Sequence, residues 1–128
     1  MVSEGSKPRA VILVIEDEPF VRITAVTFIE DAGFAVIEAG DADEAIKLLE
    51  SRNDIRLILT DIDMPQGSMN GLRLARAVRD RWPPIEIIIV SGHQIPAAAD
   101  LPERSRFFPK PYDEAHMVQT MRDMLQAA

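Results

Sequence analysis

The feature that most limits how this chain folds is an alternation of two kinds of segment. Five short runs are dominated by branched or aromatic apolar residues: AVILVI at 10–15, FAVIEA at 34–39, IRLILT at 55–60, IEIIIV at 85–90 and RFF at 106–108. Runs of this kind suit strands buried on both faces, whereas a strand with one wet face alternates apolar and polar residues. The stretches between them have helical spacing. Val21, Ala25, Phe28 and Ala32 share one face of a first helix, and Pro19 suits its opening turn. Asp41 and Glu44 form a capping pattern ahead of Ala45, Ile46 and Leu49. Asn70 caps a third helix that buries Leu74 and Val78, and Asp113 caps a last one presenting Val118, Met121 and Leu125. Gly33 and Gly40 punctuate the first two units, where a positive φ is wanted.

Strands alternating with helices imply a parallel sheet with helices on both faces, an α/β architecture. Right-handed crossovers leave few topologies, of which strand order 2-1-3-4-5 is the common one for five units. The stretch GHQIPAAADLPERSRFF after the fourth strand breaks the rhythm, because Pro96 and Pro102 leave only five residues between them. A proline inside a helix costs ~3 kcal/mol and pushes the residue before it toward extended geometry. Helix four is therefore expected to be short or irregular. Residues 1–9 read as a flexible N-terminal tail ahead of one domain over 10–128.

Composition closes off several classes of function. With formal net charge -7, the chain is repelled by the phosphates of nucleic acid and by anionic lipid, which argues against direct binding to either. The absence of Cys removes disulfides, thiolate zinc sites and cysteine nucleophiles. The longest apolar run, AVILVI, is far short of the ~20 residues that span a bilayer. Acidic neighbours and the lack of a small-residue cleavage site make it a poor signal peptide, so a cytoplasmic protein is expected.

In such folds ligands bind beyond the carboxyl ends of the strands, at the switch between strands one and three. Glu16, Asp17 and Glu18 follow strand one, and Asp61, Ile62 and Asp63 follow strand three. Strand four runs into Ser91 and Gly92, and strand five into Lys110 and Pro111. Taken singly, an acidic residue after a strand is most often a solvated cap for the next helix, and a lone Ser or Lys is uninformative. The joint occurrence is different. Adjacent strands bring Asp17 and Asp61 together, and like charges at ~4 Å repel appreciably even at an effective dielectric of about 20 unless a cation intervenes. An all-oxygen site with open positions suits Mg²⁺. His93 and His116 lie outside the constellation and give a transition metal no support. No GxxxxGK loop or Gly-rich turn after strand one supports a nucleotide site. Met117 and Met121 read as core filling rather than a partner groove.

VIEDEP (14–19), LTDIDMP (59–65), VSGH (90–93) and FFPKP (107–111), in this order and each at a strand end, resemble the receiver domain of bacterial two-component response regulators. The resemblance runs from Ala10 to about Gln126. It implies the flavodoxin-like receiver fold in a stand-alone, single-domain protein. It further implies that Asp61 is the phosphoacceptor, taking its phosphoryl group from a phosphohistidine on a histidine kinase or histidine phosphotransferase. Asp17 and Asp61 would ligate Mg²⁺ through side chains, Asp63 through its backbone carbonyl and Glu16 through water. Lys110 would bind a phosphoryl oxygen, aimed by a cis bond to Pro111. Ser91 stands where Thr is commoner and keeps the hydroxyl, Gly92 leaves room for the group, and Phe107 is the switch aromatic. Asp63 and His93 occupy positions that tune the rate of dephosphorylation. The implied output is a phosphorylation-dependent contact with a downstream protein, or storage as a phosphate sink, rather than enzymatic turnover. Two departures bear on the partner surface: PQGSMNG after Met64 is long, and the span from Ser91 to Lys110 is short. With Ser91 at its root, that short span is expected to be reordered by phosphorylation.

Two alternatives stand beside this reading. DID at 61–63 also resembles the Asp-x-Asp motif of haloacid-dehalogenase-like phosphatases, whose second Asp is a general acid. There the motif follows the first strand, and substrate selection uses a cap for which a chain this short has no room. A constitutive pseudo-receiver is disfavoured because every chemical side chain is present.

Overall fold

The structure, a computed structural model, describes residues 10–64 and 69–127. The most apolar segments take the middle of one sheet. β1 (Val11–Ile15), β3 (Ile55–Asp61) and β4 (Glu86–Ser91) are flanked by the edge strands β2 (Ala35–Ala39) and β5 (Ser105–Pro109). All neighbours are parallel, in the order β2-β1-β3-β4-β5 expected from the sequence. Successive side chains go to opposite cores. Val11, Leu13 and Ile15 enter one, and Ile12 and Val14 the other; Ile87 and Ile89 part from Ile88 and Val90 in the same way.

The helices cover both faces. α1 (Pro19–Asp31) and α4 (Glu114–Ala127) bury Ala25, Ile29, Met117 and Met121 on one side. α2 (Ala42–Ser51) and α3 (Gly71–Arg81) bury Ala42, Ala45, Leu49, Leu74, Ala75 and Val78 on the other. Their starts are set by side-chain oxygens that accept otherwise unpaired N–H groups. Asp41 accepts from Glu44 N–H at 2.8 Å, Asn70 from Arg73 N–H at 3.0 Å and Asp113 from His116 N–H at 3.1 Å.

Several local expectations need correction. α1 buries Ala25 and Ile29, while Val21 is 40% exposed. Its sequence is apolar on almost every side, so spacing alone does not select the face. On α4 the buried line is Met117, Thr120 and Met121, and Val118 is half-buried. Thr120 tolerates burial because its hydroxyl donates to the His116 carbonyl at 2.9 Å. Gly33 has φ 101, as its position after α1 requires, but Gly40 is not in the left-handed region. Its N–H instead donates to Glu44 Oε1 at 2.7 Å, closing the start of α2.

No α-helical turn forms between β4 and β5. A single 3₁₀ turn, Ala98–Asp100, stands there, with Asp100 N–H donating to the Ala97 carbonyl at 2.9 Å. Arginines of α3 hold this segment from outside. Arg76 donates to the Asp100 carbonyl at 2.8 Å, and Arg79 to those of Glu103 and Arg104 at 2.8 and 3.2 Å. Arg79 also donates to the Pro83 and Ile85 carbonyls at 2.6 and 2.9 Å, so one guanidinium joins two loops. The expected tail at 1–9 lies outside the described residues, as does most of the loop after Met64.

Arg79→Ala is expected to lower stability by about 2–4 kcal/mol, since four main-chain acceptors lose a partner at once. Arg79→Lys should recover less than half of that, because one ammonium cannot span carbonyls spread over two loops. Urea unfolding reads both as shifted midpoints at unchanged slope. A wild-type midpoint for either variant would contradict the assignment.

Candidate functional site

Parallel strands bring every carboxyl end to one edge, and the register levels them. Ile15 pairs with Thr60, Asp61 with Val90 and Ser91 with Pro109. Glu16, Asp61 and Ser91 thus stand side by side, with 5%, 6% and 2% of their surface exposed, while Asp17 faces solvent. Glu16, Asp17 and Asp61 each place a carboxylate oxygen within 4.8 Å of the others. Lys110 Nζ donates to Glu16 Oε1 and to Asp61 Oδ2, both at 3.1 Å. Its own N–H donates to the Ser91 carbonyl at 2.9 Å, and the Lys110–Pro111 peptide is cis. Glu16, Asp17, Asp61 and Lys110 line an open cleft of about 340 Å³, together with Glu18, Asp63, Met64, Gly92 and His93.

Burial pushes the Glu16 carboxyl up to about 7, against the pull of hydrogen bonds from Glu18 N–H and Lys110. Burial alone would lower the Lys110 ammonium; its bonds to Glu16 and Asp61 outweigh that and raise it. Three carboxylates face a single ammonium, which leaves their charge undercompensated. The donors are hard oxygens with one side open to water. That set fits Mg²⁺, which takes carboxylate oxygens and keeps several waters.

The neighbouring main chain is fixed closely. Gly71 opens α3 against the end of β3: its N–H donates to the Ile62 carbonyl at 3.0 Å. A Cβ there would run into the Asp61 carbonyl oxygen and lie 2.7 Å from the carbonyl carbon. Only glycine permits this approach. On the other side Ser91 Oγ donates to Asp63 Oδ2 at 2.9 Å, and Asp63 N–H donates to Asp61 Oδ1 at 3.3 Å.

Not every residue named from the sequence enters the cleft in the same sense. The Asp63 carboxylate turns to Ser91 rather than to the acidic group. His93 lines the cleft, and its N–H donates to Ser91 Oγ at 3.1 Å. A Cβ at Gly92 would sit 3.7 Å from Lys110 Cβ, an ordinary contact. Phe107 is half-buried against the α2/α3 core, because strand alternation sends Phe108 to the opposite one. Sequence reasoning missed three participants, Arg22, Gln94 and Gly71, and named Glu18 only among the acidic residues after strand one. Glu18 caps α1 by accepting from Phe20 and Val21 N–H at 3.2 and 3.3 Å, so the ordinary reading of an acidic residue after a strand holds for it. Arg22 donates to the Glu16 carbonyl at 2.9 Å and to Glu38 at 2.8 Å. Gln94 reaches Asp63, and Gly71 meets Asp61. Only Glu18, directly before Pro19, carried a local signal.

A doubly covered parallel sheet with an acidic cleft between β1 and β3, closed by a lysine from the end of β5, defines a receiver-type α/β domain. The chain belongs to the response regulator receiver domain family, whose sequence profile matches residues 12–122. It is 33% identical over 121 residues to the sensor kinase CckA of Brucella abortus (strain 2308), covering 91% of this chain and 13% of that protein. It is 32% identical over 126 residues to the hydrogenase transcriptional regulatory protein HoxA of Cupriavidus necator, covering 95% of this chain and 25% of that protein. The chain thus spans a quarter or less of these curated relatives. Among solved structures, a response regulator receiver protein from Sinorhizobium medicae WSM419 superimposes with TM-score 0.83 at 28% identity, over 93% of this chain and 96% of that one. Among the described residues no helix is long and apolar enough to cross a membrane.

Gly71→Ala is expected to cost about 1–3 kcal/mol through overpacking, with the displacement centred on Asp61–Asp63. Unfolding midpoints and amide chemical shifts report the two effects. A neutral substitution would show that α3 can slide without disturbing the end of β3.

Proposed function

We propose that Asp61 accepts a phosphoryl group from a phosphohistidine of a histidine kinase or histidine phosphotransferase, in two-component phosphorelay signalling. The observation that carries this reading is the convergence of Glu16, Asp17, Asp61 and Lys110 at the ends of β1, β3 and β5. Its place within a family that includes the sensor kinase CckA supports a kinase as donor. A carboxylate oxygen of Asp61 attacks phosphorus as the P–N bond to the donor imidazole breaks, giving an aspartyl phosphate. Asp17 and Asp61 side chains and the Asp63 carbonyl would hold Mg²⁺, with Glu16 acting through water. When bound, that ion spreads the charge on the phosphoryl oxygens. Lys110 supplies a second positive charge, and Ser91 supplies a hydroxyl donor.

The resulting signal is a change in protein contacts, or storage of phosphate, rather than turnover of a substrate. A charge-assisted hydrogen bond contributes ~1.5–3 kcal/mol, whereas moving an equilibrium from 1:99 to 99:1 takes ~5.5 kcal/mol. Ser91 and Lys110 must therefore both engage the new group, with Phe107 following as the switch aromatic and His93 beside the cleft affecting its lifetime. An acidic surface argues against direct nucleic-acid contact, and the cytoplasm is the compartment in which we place this exchange.

Asp61→Asn is expected to keep the fold and reduce labelling by acetyl phosphate to background, with Asp61 as the sole site. Undiminished labelling of that variant would sink the assignment. Asp17→Asn should weaken Mg²⁺ binding by at least roughly tenfold, since even outer partners of a metal commonly contribute that much. Equal phosphorylation of the parent in the presence of a chelator would contradict a metal requirement.

A further inference from the structure

The end of the sheet opposite the acidic cleft holds a second cavity, of about 630 Å³, between the last turn of α4 and the starts of β4 and β5. That size lies in the range of small-molecule sites. Glu86, the first residue of β4, lines it. Strand alternation puts this side chain on the same face as Ile88, under α4. Only 9% of its surface is exposed, and among the described residues its carboxylate has no hydrogen bond and no ion pair. Arg79 feels the Glu86 charge at a distance, but its own N–H groups serve main-chain carbonyls. Arg104 lines the cavity at φ 57, a conformation rare outside glycine, and its guanidinium donates to the Pro83 carbonyl at 2.6 Å. Neither arginine neutralises Glu86 by contact. Burying a carboxylate without a partner costs stability, and such costs are characteristically retained where a ligand supplies the missing partner.

The walls say what that partner is. Arg106 stands opposite Ile88 in the register of β5, diagonal to Glu86 on the same face of the sheet. It lines the cavity and, among the described residues, its guanidinium also lacks a hydrogen bond and an ion pair. The last turn of α4 contributes Asp123 and carries no basic residue, so the negative end of that helix is left uncompensated. A bare cation would meet Arg104 and Arg106, and a bare anion would meet Glu86 and Asp123. A molecule bearing both charges satisfies both walls, and Met124 and Pro84 give it an apolar surface to lie against.

We propose that the cavity between α4 and the starts of β4 and β5 binds a small zwitterion of the amino-acid class, its ammonium facing Glu86, its carboxylate facing Arg106 and its aliphatic part against Met124 and Pro84. This site is separate from the acidic cleft and does not rest on the phosphoacceptor reading of Asp61.

Amide chemical shifts of the full chain at Glu86, Arg106 and Met124 report occupancy directly. The probes are the standard amino acids, each titrated to about 10 mM, well above the ~1 mM dissociation constant of a weak site. At least one with an aliphatic side chain is expected to shift these amides saturably. For that probe, the matching amine without a carboxylate and the matching acid without an amine should each bind at least roughly tenfold more weakly, the scale of one charge-assisted hydrogen bond. Glu86→Gln, which keeps the shape of the side chain, and Arg106→Gln should each weaken the amino acid by a similar factor. No saturable shift with any amino acid overturns the proposal. So does binding undiminished in Glu86→Gln, or an amine that binds as tightly as its amino acid. Urea midpoints of the two single variants and of the double variant address the structural alternative, in which Glu86 and Arg106 pair with each other. The two substitutions should be additive in stability. A coupled cycle would show that the two side chains serve one another and leave no site.

Discussion

The molecule is organised by the burial of its central strands on both faces. β1 and β4 have no exposed residue, and their side chains alternate between two apolar cores. A charge placed along such a strand would have to be desolvated without a partner, at a cost of several kcal/mol. Polar residues are therefore pushed to the strand ends, and parallel pairing gathers those ends on one edge. The acidity of the cleft is a product of this geometry. Glu16 shows the tension most clearly, since it remains almost as buried as the strand it follows and that burial pushes its carboxyl up to about 7.

Lys110 is the countermeasure the chain itself carries. It reaches two of the three carboxylates from the end of β5, at the far edge of the sheet from β2, and its main chain is fixed to Ser91. A lysine suits this place better than an arginine. A compact ammonium on a flexible stem can serve several oxygens in turn, whereas a guanidinium locks to one carboxylate in a planar fork. The sensor kinase CckA and the transcriptional regulatory protein HoxA each share similarity with this stretch of sequence within a much longer protein.

Much of this was legible before the structure. The unbroken runs named the strands, and the residues after them named Asp17, Asp61, Ser91 and Lys110, because one rule ties strand ends to ligand sites. The two prolines at 96 and 102 announced the missing helix. What escaped was set by tertiary packing. α1 is apolar nearly all round, so Val21 could not be told from Ile29 as the inward residue. Phe107 and Phe108 are adjacent and identical, and which of them meets which core depends on the register of β5 with β4. Gln94 carries no local signature, since its partner Asp63 lies 31 positions away. Asn70 was readable as a cap, but the demand for glycine at position 71 arises only when α3 docks against Asp61.

The rim of the cleft is unequal on its two sides. One side is the start of α1, braced by the Glu18 cap and by Arg22, which bridges β2 and the end of β1. The other is a stretch with a single 3₁₀ turn, held mostly by side chains. A protein that grips the α1 side meets a surface already in place. One that grips the other side must also order it, and part of its contact energy goes into that ordering. Complexes formed there dissociate sooner for the same buried area, because such differences appear chiefly in the off-rate. For equal buried area, a contact on the braced flank would therefore outlast one on the flank without a helix.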